Sequence, residues 1–313
     1  MMVLITYLAQ RGLGLLEVIL HIGAHRTGTT TFQRALQQNE HNLTKNGVTV
    51  WGPRVTRGGR FSGLLRGADC GENETRRLVQ RNKGIIAIEI ARLEKYGQKT
   101  LLVSEENILG SMRSNLYTAQ LYSGLAERLE RFALVFGAGC TRIGLAIRPY
   151  EDFWASSMAY AIKAGHPVVD QDGLDRLVTQ PRNWRRVVCD VAAAFPKAEV
   201  TVWEFGRLIG RPQAQYRLLA GKRGRLRNSK SHHNASPKRD ALREILMLRE
   251  DQTAVRSVPA GDGAYMPFGT HHLAAFQAQY ADDLTWLRSR PKTDFNFIEK
   301  LGPELAARRF AGE

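Results

Sequence analysis

Gly23-Ala24-His25-Arg26-Thr27-Gly28-Thr29-Thr30-Thr31 sets two glycines five positions apart, with a single fixed cation between them and three hydroxyls in a row after them. That combination can hold an oxyanion. Glycines let backbone N–H groups close on it, hydroxyls add donors, and a following helix supplies the partial positive charge of its N-terminus. The glycine spacing matches GxxxxGK[ST], but the residue after Gly28 is Thr29 and not lysine. A nucleoside triphosphate needs that lysine on its β- and γ-phosphates. With Arg26 inside the loop instead, the cradle suits a shorter anion.

Two other groupings carry chemistry. Ser104-Glu105-Glu106-Asn107 follows the apolar run Thr100-Leu101-Leu102-Val103. Acids at the end of a buried strand lie where open α/β sheets bind ligands, and a carboxylate there can accept a proton from a hydroxyl. Read by itself, the tetrad is a helix N-cap, with Ser104 capping and the acids in the first turn. Arg148 closes the run Arg142 to Ile147, and Ser156 follows eight residues later on a helix opened by Pro149. By themselves they read as a strand-end arginine and a buried serine, with Ser157 adjacent.

The elements that must position these groups alternate along the chain. Val18-Ile19-Leu20 enters the cradle as a β-branched strand, and Phe32 and Leu36, four apart, give the helix after it a buried face. That helix is expected to continue through Asn39 to a stop at Gly47. Further strands are expected at Val48 to Trp51, Thr100 to Val103, Arg142 to Ile147 and Glu199 to Glu204. Helices are expected over 72–96, 121–136, 149–164, 184–195, 237–249 and 271–288, and loops over 54–72 and 251–269. Strands alternating with helices predict an α/β fold, a parallel β-sheet flanked by helices on both faces. Residues 1–16 read as an N-terminal extension, 17–290 as a single domain and 291–313 as a C-terminal tail. Within the domain, 221–238 reads as a mobile basic loop, rich in Gly, Ser, Lys and Arg without apolar periodicity.

The composition fits this outline. The 313 residues are 43% hydrophobic, enough for one sizeable core, and the formal net charge of +15 favours anionic partners. Three well-separated cysteines, Cys70, Cys140 and Cys189, form no metal-ligand spacing. They read as reduced thiols in the cytoplasm, with no metal expected. The apolar start of the chain is interrupted by Arg11, too early for a membrane span.

The HRTGTT loop, the strand-end Arg148 with Ser156, and VSEEN together resemble the sulfotransferases that use 3′-phosphoadenosine 5′-phosphosulfate (PAPS), and among them the bacterial, carbohydrate-type branch. The resemblance implies a P-loop NTPase-like three-layer sandwich and transfer of a sulfuryl group to an acceptor hydroxyl. It assigns Arg26, Thr27, Gly28, Thr29, Thr30 and Thr31 to the 5′-phosphosulfate, with Arg26 on the oxygen bridging phosphorus and sulfur. It assigns Arg148 and Ser156 to the 3′-phosphate, and Lys222 and Arg223 of the basic loop to the nucleotide. Glu106 becomes the base, with Glu105, His21 and His25 as alternatives. Family members usually carry lysine where Arg26 stands. A guanidinium there acts electrostatically, since it does not give up its proton. Tyr280, Asp283, Trp286 and Leu287 match the closing helix and read as packing. The acceptor pocket is expected from 54–72, 110–120 and 165–180.

Two other functions compete with this one. A P-loop phosphotransferase is disfavoured by Thr29 in place of the lysine. A non-catalytic anion or nucleic-acid binder would use the net charge, but that charge is spread along the chain without a nucleic-acid motif, so no nucleic-acid partner is expected.

Overall fold

The computed structural model describes residues 16–66, 71–221, 224–227 and 236–301. The expected Lys222 and Arg223 contacts, Cys70, most of the N-terminal extension and most of the basic loop lie outside these residues.

A six-stranded, all-parallel sheet organises the chain: β1 (Glu17–His21), β2 (Val48–Trp51), β3 (Thr100–Ser104), β4 (Cys140–Ile147), β5 (Glu199–Glu204) and β6 (Asn296–Ile298), in the order β2-β3-β1-β4-β5-β6. The longer helices are α1 (Thr29–Gln38), α2 (Glu40–Lys45), α3 (Glu72–Lys95), α4 (Met112–Thr118), α5 (Leu125–Phe136), α6 (Tyr150–Lys163), α7 (Gln171–Thr179), α8 (Trp184–Ala194), α9 (Pro212–Ala220), α10 (Arg239–Met247), α11 (Gln252–Ser257) and α12 (Thr270–Ser289), with a single helical turn at Phe205–Leu208.

Both sheet faces are buried, which is why the strands read as continuous apolar runs rather than alternating ones. Val18, Leu20, Leu101, Val103, Ile143 and Leu145 belong to a large core with residues of α5, α6, α8 and α12. Ile19, Leu102, Ala146 and Trp203 point the other way, into a smaller core with Phe32 and Leu36 of α1 and Tyr216 and Leu219 of α9. The arrangement is the expected α/β three-layer sandwich.

Several boundaries differ from the expectation. The first helix breaks at Asn39, whose side-chain amide turns to the chain: Nδ2 donates to Ala35 O at 2.8 Å and Arg227 O at 3.0 Å, and Oδ1 accepts from Arg227 N at 2.8 Å. The same pairing anchors 224–227, a described part of the basic loop, where Leu226 is buried in the smaller core. Residues 53–60 form helical turns rather than open loop, the 251–269 stretch contains α11, and Asn296–Ile298 adds an edge strand beside β5 from the segment read as a tail.

The chain crosses from β1 out to β2, returns to β3 beside β1, and then passes to β4 on the other side. The direction of winding therefore reverses around β1, and a crevice opens at the carboxyl ends of β1, β3 and β4. The cradle, the Glu105-Glu106 pair and Arg148 follow those three strand ends. No helix among the described residues is long and apolar enough to cross a membrane.

Candidate functional site

The cradle is shaped by close packing. An added Cβ on Gly23 would lie 2.7 Å from Thr29 Cγ2, so a larger residue there must displace the Thr29 side chain. Gly28 caps α1 in the left-handed region at φ 78°, which lets Thr31 and Phe32 donate back to its carbonyl. Thr27 is buried and its hydroxyl donates to Ala24 O at 2.5 Å, so it braces the loop from within. Arg26 also has a positive φ, 62°, a conformation that branched or bulky residues rarely adopt.

A cavity of about 510 Å³ lies over this loop, lined by Arg26 to Thr31, Glu106, Arg148 and Ser156 among others. Every described residue expected at the site therefore reaches one space. Arg26 Nε donates to Ser156 Oγ at 2.9 Å and Nη2 to Ser236 Oγ at 3.0 Å, while the guanidinium lies 5.3 Å from the centre of the Tyr160 ring. Ser156 and Ser236 hydroxyls are 2.6 Å apart. Arg148 Nη1 donates to the Arg26 carbonyl at 2.8 Å, and its guanidinium stacks 5.0 Å from the centre of Phe205. Burial, and then the neighbouring Arg148 charge, hold Arg26 below its ordinary pKa. Two guanidiniums in one cleft favour an anion between or beside them. Ser157, the alternative to Ser156, instead donates to Phe153 O at 2.7 Å and does not line the cavity.

No family model, curated protein or solved structure matches the chain.

The four candidate bases separate cleanly. His21 is buried beneath the cradle: Gln215 Nε2 donates to its Nε2 at 2.8 Å, so Nδ1 carries the proton toward Ser104 Oγ, also at 2.8 Å. Burial lowers its pKa to about 4. His25 lines the cavity, yet both ring nitrogens are engaged, Nδ1 with Tyr122 Oη at 3.0 Å and Nε2 with Asn107 Oδ1 at 3.1 Å. Burial lowers its pKa as well.

Glu105 has no exposed side-chain surface. It accepts from Thr56, from the Arg57 guanidinium and from Asn107 N–H, which makes it the cap of the 3₁₀ turn Glu106–Ile108. In the sequence Glu105 is an alternative cap beside Ser104, whose hydroxyl belongs instead to His21. Glu106 alone of the four presents a carboxylate to the cavity. Gln33 Nε2 donates to Oε2 at 2.8 Å and Arg57 Nη2 to Oε1 at 2.9 Å. Burial pushes Glu106 upward, but His25, Arg57 and the Gln33 amide outweigh it and hold it below the ordinary glutamate value.

Of the three stretches expected around an acceptor, 54–72 contributes Arg57 and 110–120 contributes Met112, with Pro53 beside them; 165–180 contributes nothing to the lining. Gln33, Arg57, Tyr160, Phe205 and Ser236 were not read as site residues. Gln33 lies one turn beyond the cradle on α1, and that spacing was the one sequence signal available. The expected packing role of the closing helix is seen at Asp283, buried and joined to Tyr150 Oη, Trp184 N–H and Arg185 Nε.

Outside the cavity, ligand atoms of Asp175, His271 and His272 gather within 4.8 Å. Gly269 N–H points at His272 Nδ1 from 3.2 Å, so the ring proton sits on Nε2 and is donated to Asp175 Oδ1 at 2.6 Å. A metal on Nε2 would require that proton on Nδ1, against the Gly269 N–H. The cluster is built as a latch between α7 and the start of α12.

Proposed function

We propose that the protein is a PAPS-dependent sulfotransferase acting on an acceptor hydroxyl, with a carbohydrate as the acceptor class implied by the motif resemblance. One observation carries the reading: Arg26, Arg148 and Ser156, picked out by separate motifs, line a single cavity with the α1 N-terminus, and Glu106 lines it too. Its volume, about 510 Å³, is in the range of small-molecule sites, roughly 300–1,000 Å³.

In the proposed reaction, the acceptor oxygen forms a bond to sulfur as the bond from sulfur to the bridging phosphate oxygen breaks. The acceptor proton passes to Glu106. The electron pair of the broken bond leaves with adenosine 3′,5′-bisphosphate. Backbone N–H groups and hydroxyls at 27–31 hold the 5′-phosphate, and Arg148 and Ser156 hold the 3′-phosphate. Arg26 belongs to both ends, with its backbone in the cradle and its guanidinium on Ser156. As a fixed cation it favours the charge that develops on the leaving phosphate, more in the transition state than in the ground state. Because Glu106 stays ionised, it can accept the hydroxyl hydrogen bond from the outset and the proton as the new bond forms.

Calorimetry with adenosine 3′,5′-bisphosphate and with ATP tests the reading. Tighter binding of the bisphosphate, without magnesium, is expected. Tighter ATP binding that requires magnesium overturns it in favour of a P-loop phosphotransferase.

A further inference from the structure

Two adjacent acids at the end of β3 have opposite surroundings. Glu105 is fully buried and Glu106 faces the cavity, and one guanidinium joins them. Arg57 Nη2 donates to Glu105 Oε1 at 2.7 Å and to Glu106 Oε1 at 2.9 Å, and Arg57 Nε donates to Glu105 Oε2 at 3.0 Å. We infer that Arg57, anchored by the buried Glu105, is a positioning residue that holds the Glu106 carboxylate in place as the proton acceptor of the cavity. Only the role of Glu106 as a base rests on the sulfotransferase reading; the hold itself does not.

The anchor is stronger than the contact it supports. Glu105 accepts from Thr56 Oγ1 at 2.5 Å and from Asn107 N at 3.0 Å in addition to the two-pronged arginine. A buried carboxylate is stable only with such pairing, and removing its partner is strongly unfavourable. The plane of the guanidinium is therefore fixed by Glu105, and the remaining Nη2 proton points where Glu106 must sit. Gln33, from the cradle helix, fixes the other oxygen of Glu106. A carboxylate has about four acceptor positions, so each oxygen keeps room for a substrate hydroxyl. Lysine cannot reproduce this arrangement, because it lacks the planar fork.

The titratable groups acting on Glu106 are Arg57, Glu105, His25, His21 and Tyr122. Burial lowers both imidazoles and raises the phenol. Of the charges that lower Glu106, His25 comes first and Arg57 next; of the two, Arg57 stays charged at every pH of the titration, and Glu105 is the carboxylate paired with it.

The test is a pH titration of the full chain carrying ¹³C at glutamate side-chain carboxyls, with the Glu106 signal assigned by its loss in E106Q. R57Q is expected to raise the Glu106 midpoint by about one pH unit, a tenfold gain in proton affinity, with R57K between it and the parent. Because R57Q leaves Glu105 buried without a counter-charge, the E105Q/R57Q double variant is measured as well. It removes both charges, so the midpoint is expected to rise less than in R57Q and to stay above that of the parent, because the Arg57 hydrogen bond to Glu106 is gone. An unchanged Glu106 midpoint in both variants overturns the inference. If the parent fails to bind adenosine 3′,5′-bisphosphate, the sulfotransferase reading falls, while the titration still decides whether Arg57 holds Glu106.

Discussion

Arg26 Nε donates to Ser156 Oγ at 2.9 Å, joining residues 130 positions apart. Arg26 belongs to the loop after β1 and Ser156 to the second turn of α6, after β4. Their meeting puts the cation of the cradle against the residue assigned to a second phosphate. The Arg148 contact to the Arg26 carbonyl, at 2.8 Å, closes the group.

Loss of Arg148 is expected to discriminate between ligands. R148A should weaken adenosine 3′,5′-bisphosphate by about 2 kcal/mol, the scale of a charge-assisted hydrogen bond, and adenosine 5′-phosphate much less. Calorimetry on both ligands checks this. Equal losses would mean that Arg148 acts only through the Arg26 carbonyl.

Under the proposed function, Glu106 sets the acid side of activity. Its folded pKa lies below the ordinary value, so the reactive carboxylate is present above that value and is lost as pH falls through the depressed pKa. A pH–rate profile should be flat on its acid side down to below the ordinary glutamate range. E106Q should lower turnover by about 10²–10⁴-fold, with bisphosphate affinity retained; full turnover would remove Glu106 from the chemistry.

The backbone at Arg26 allows a comparison of two truncations. Its φ of 62° is strained for any residue with a Cβ and unstrained for glycine. R26G should therefore be more stable than R26A by about 1 kcal/mol, while both lose bisphosphate binding. Chemical denaturation of the two variants, read beside calorimetry, separates strain from charge. Equal stability would show that the loop relaxes once the side chain is gone.

His21 links stability to pH. Its folded pKa of about 4 lies below the ordinary 6.5, so the fold favours the neutral ring. The contribution is complete above 6.5 and is lost as pH falls from there through about 4. The loss is on the order of 3 kcal/mol. Urea unfolding of the parent across that window should show this slope, and H21Q should flatten it. Parallel slopes would place the acid sensitivity elsewhere.

The sheet and the cradle were legible because both depend on local pattern. A buried parallel strand is an unbroken apolar run, as at Val18 to Leu20, and a glycine turn before a helix is written in consecutive residues. Ser156 was singled out by the motif resemblance, and the helix opened by Pro149 carries it to the cavity in its second turn. Helix ends set by distant partners were not: Asn39 breaks α1 because its amide pairs with Arg227, far along the chain.

The sequence by itself determined an α/β sheet and a strand–glycine turn–helix lacking the triphosphate lysine, and it named residues that line one cavity. Tertiary structure alone decided which of two neighbouring acids faces the cavity and which is buried. Glu105 and Glu106 are chemically identical, and their different surroundings come from what each meets: Thr56, Arg57 and the Asn107 N–H around one, Gln33, a single bond from Arg57 and the cavity beside the other. It also brought Ser236 to Arg26 and Gln215 to His21. Those contacts form because strand order and helix packing bring distant segments together at the carboxyl end of the sheet, and no spacing along the chain encodes them.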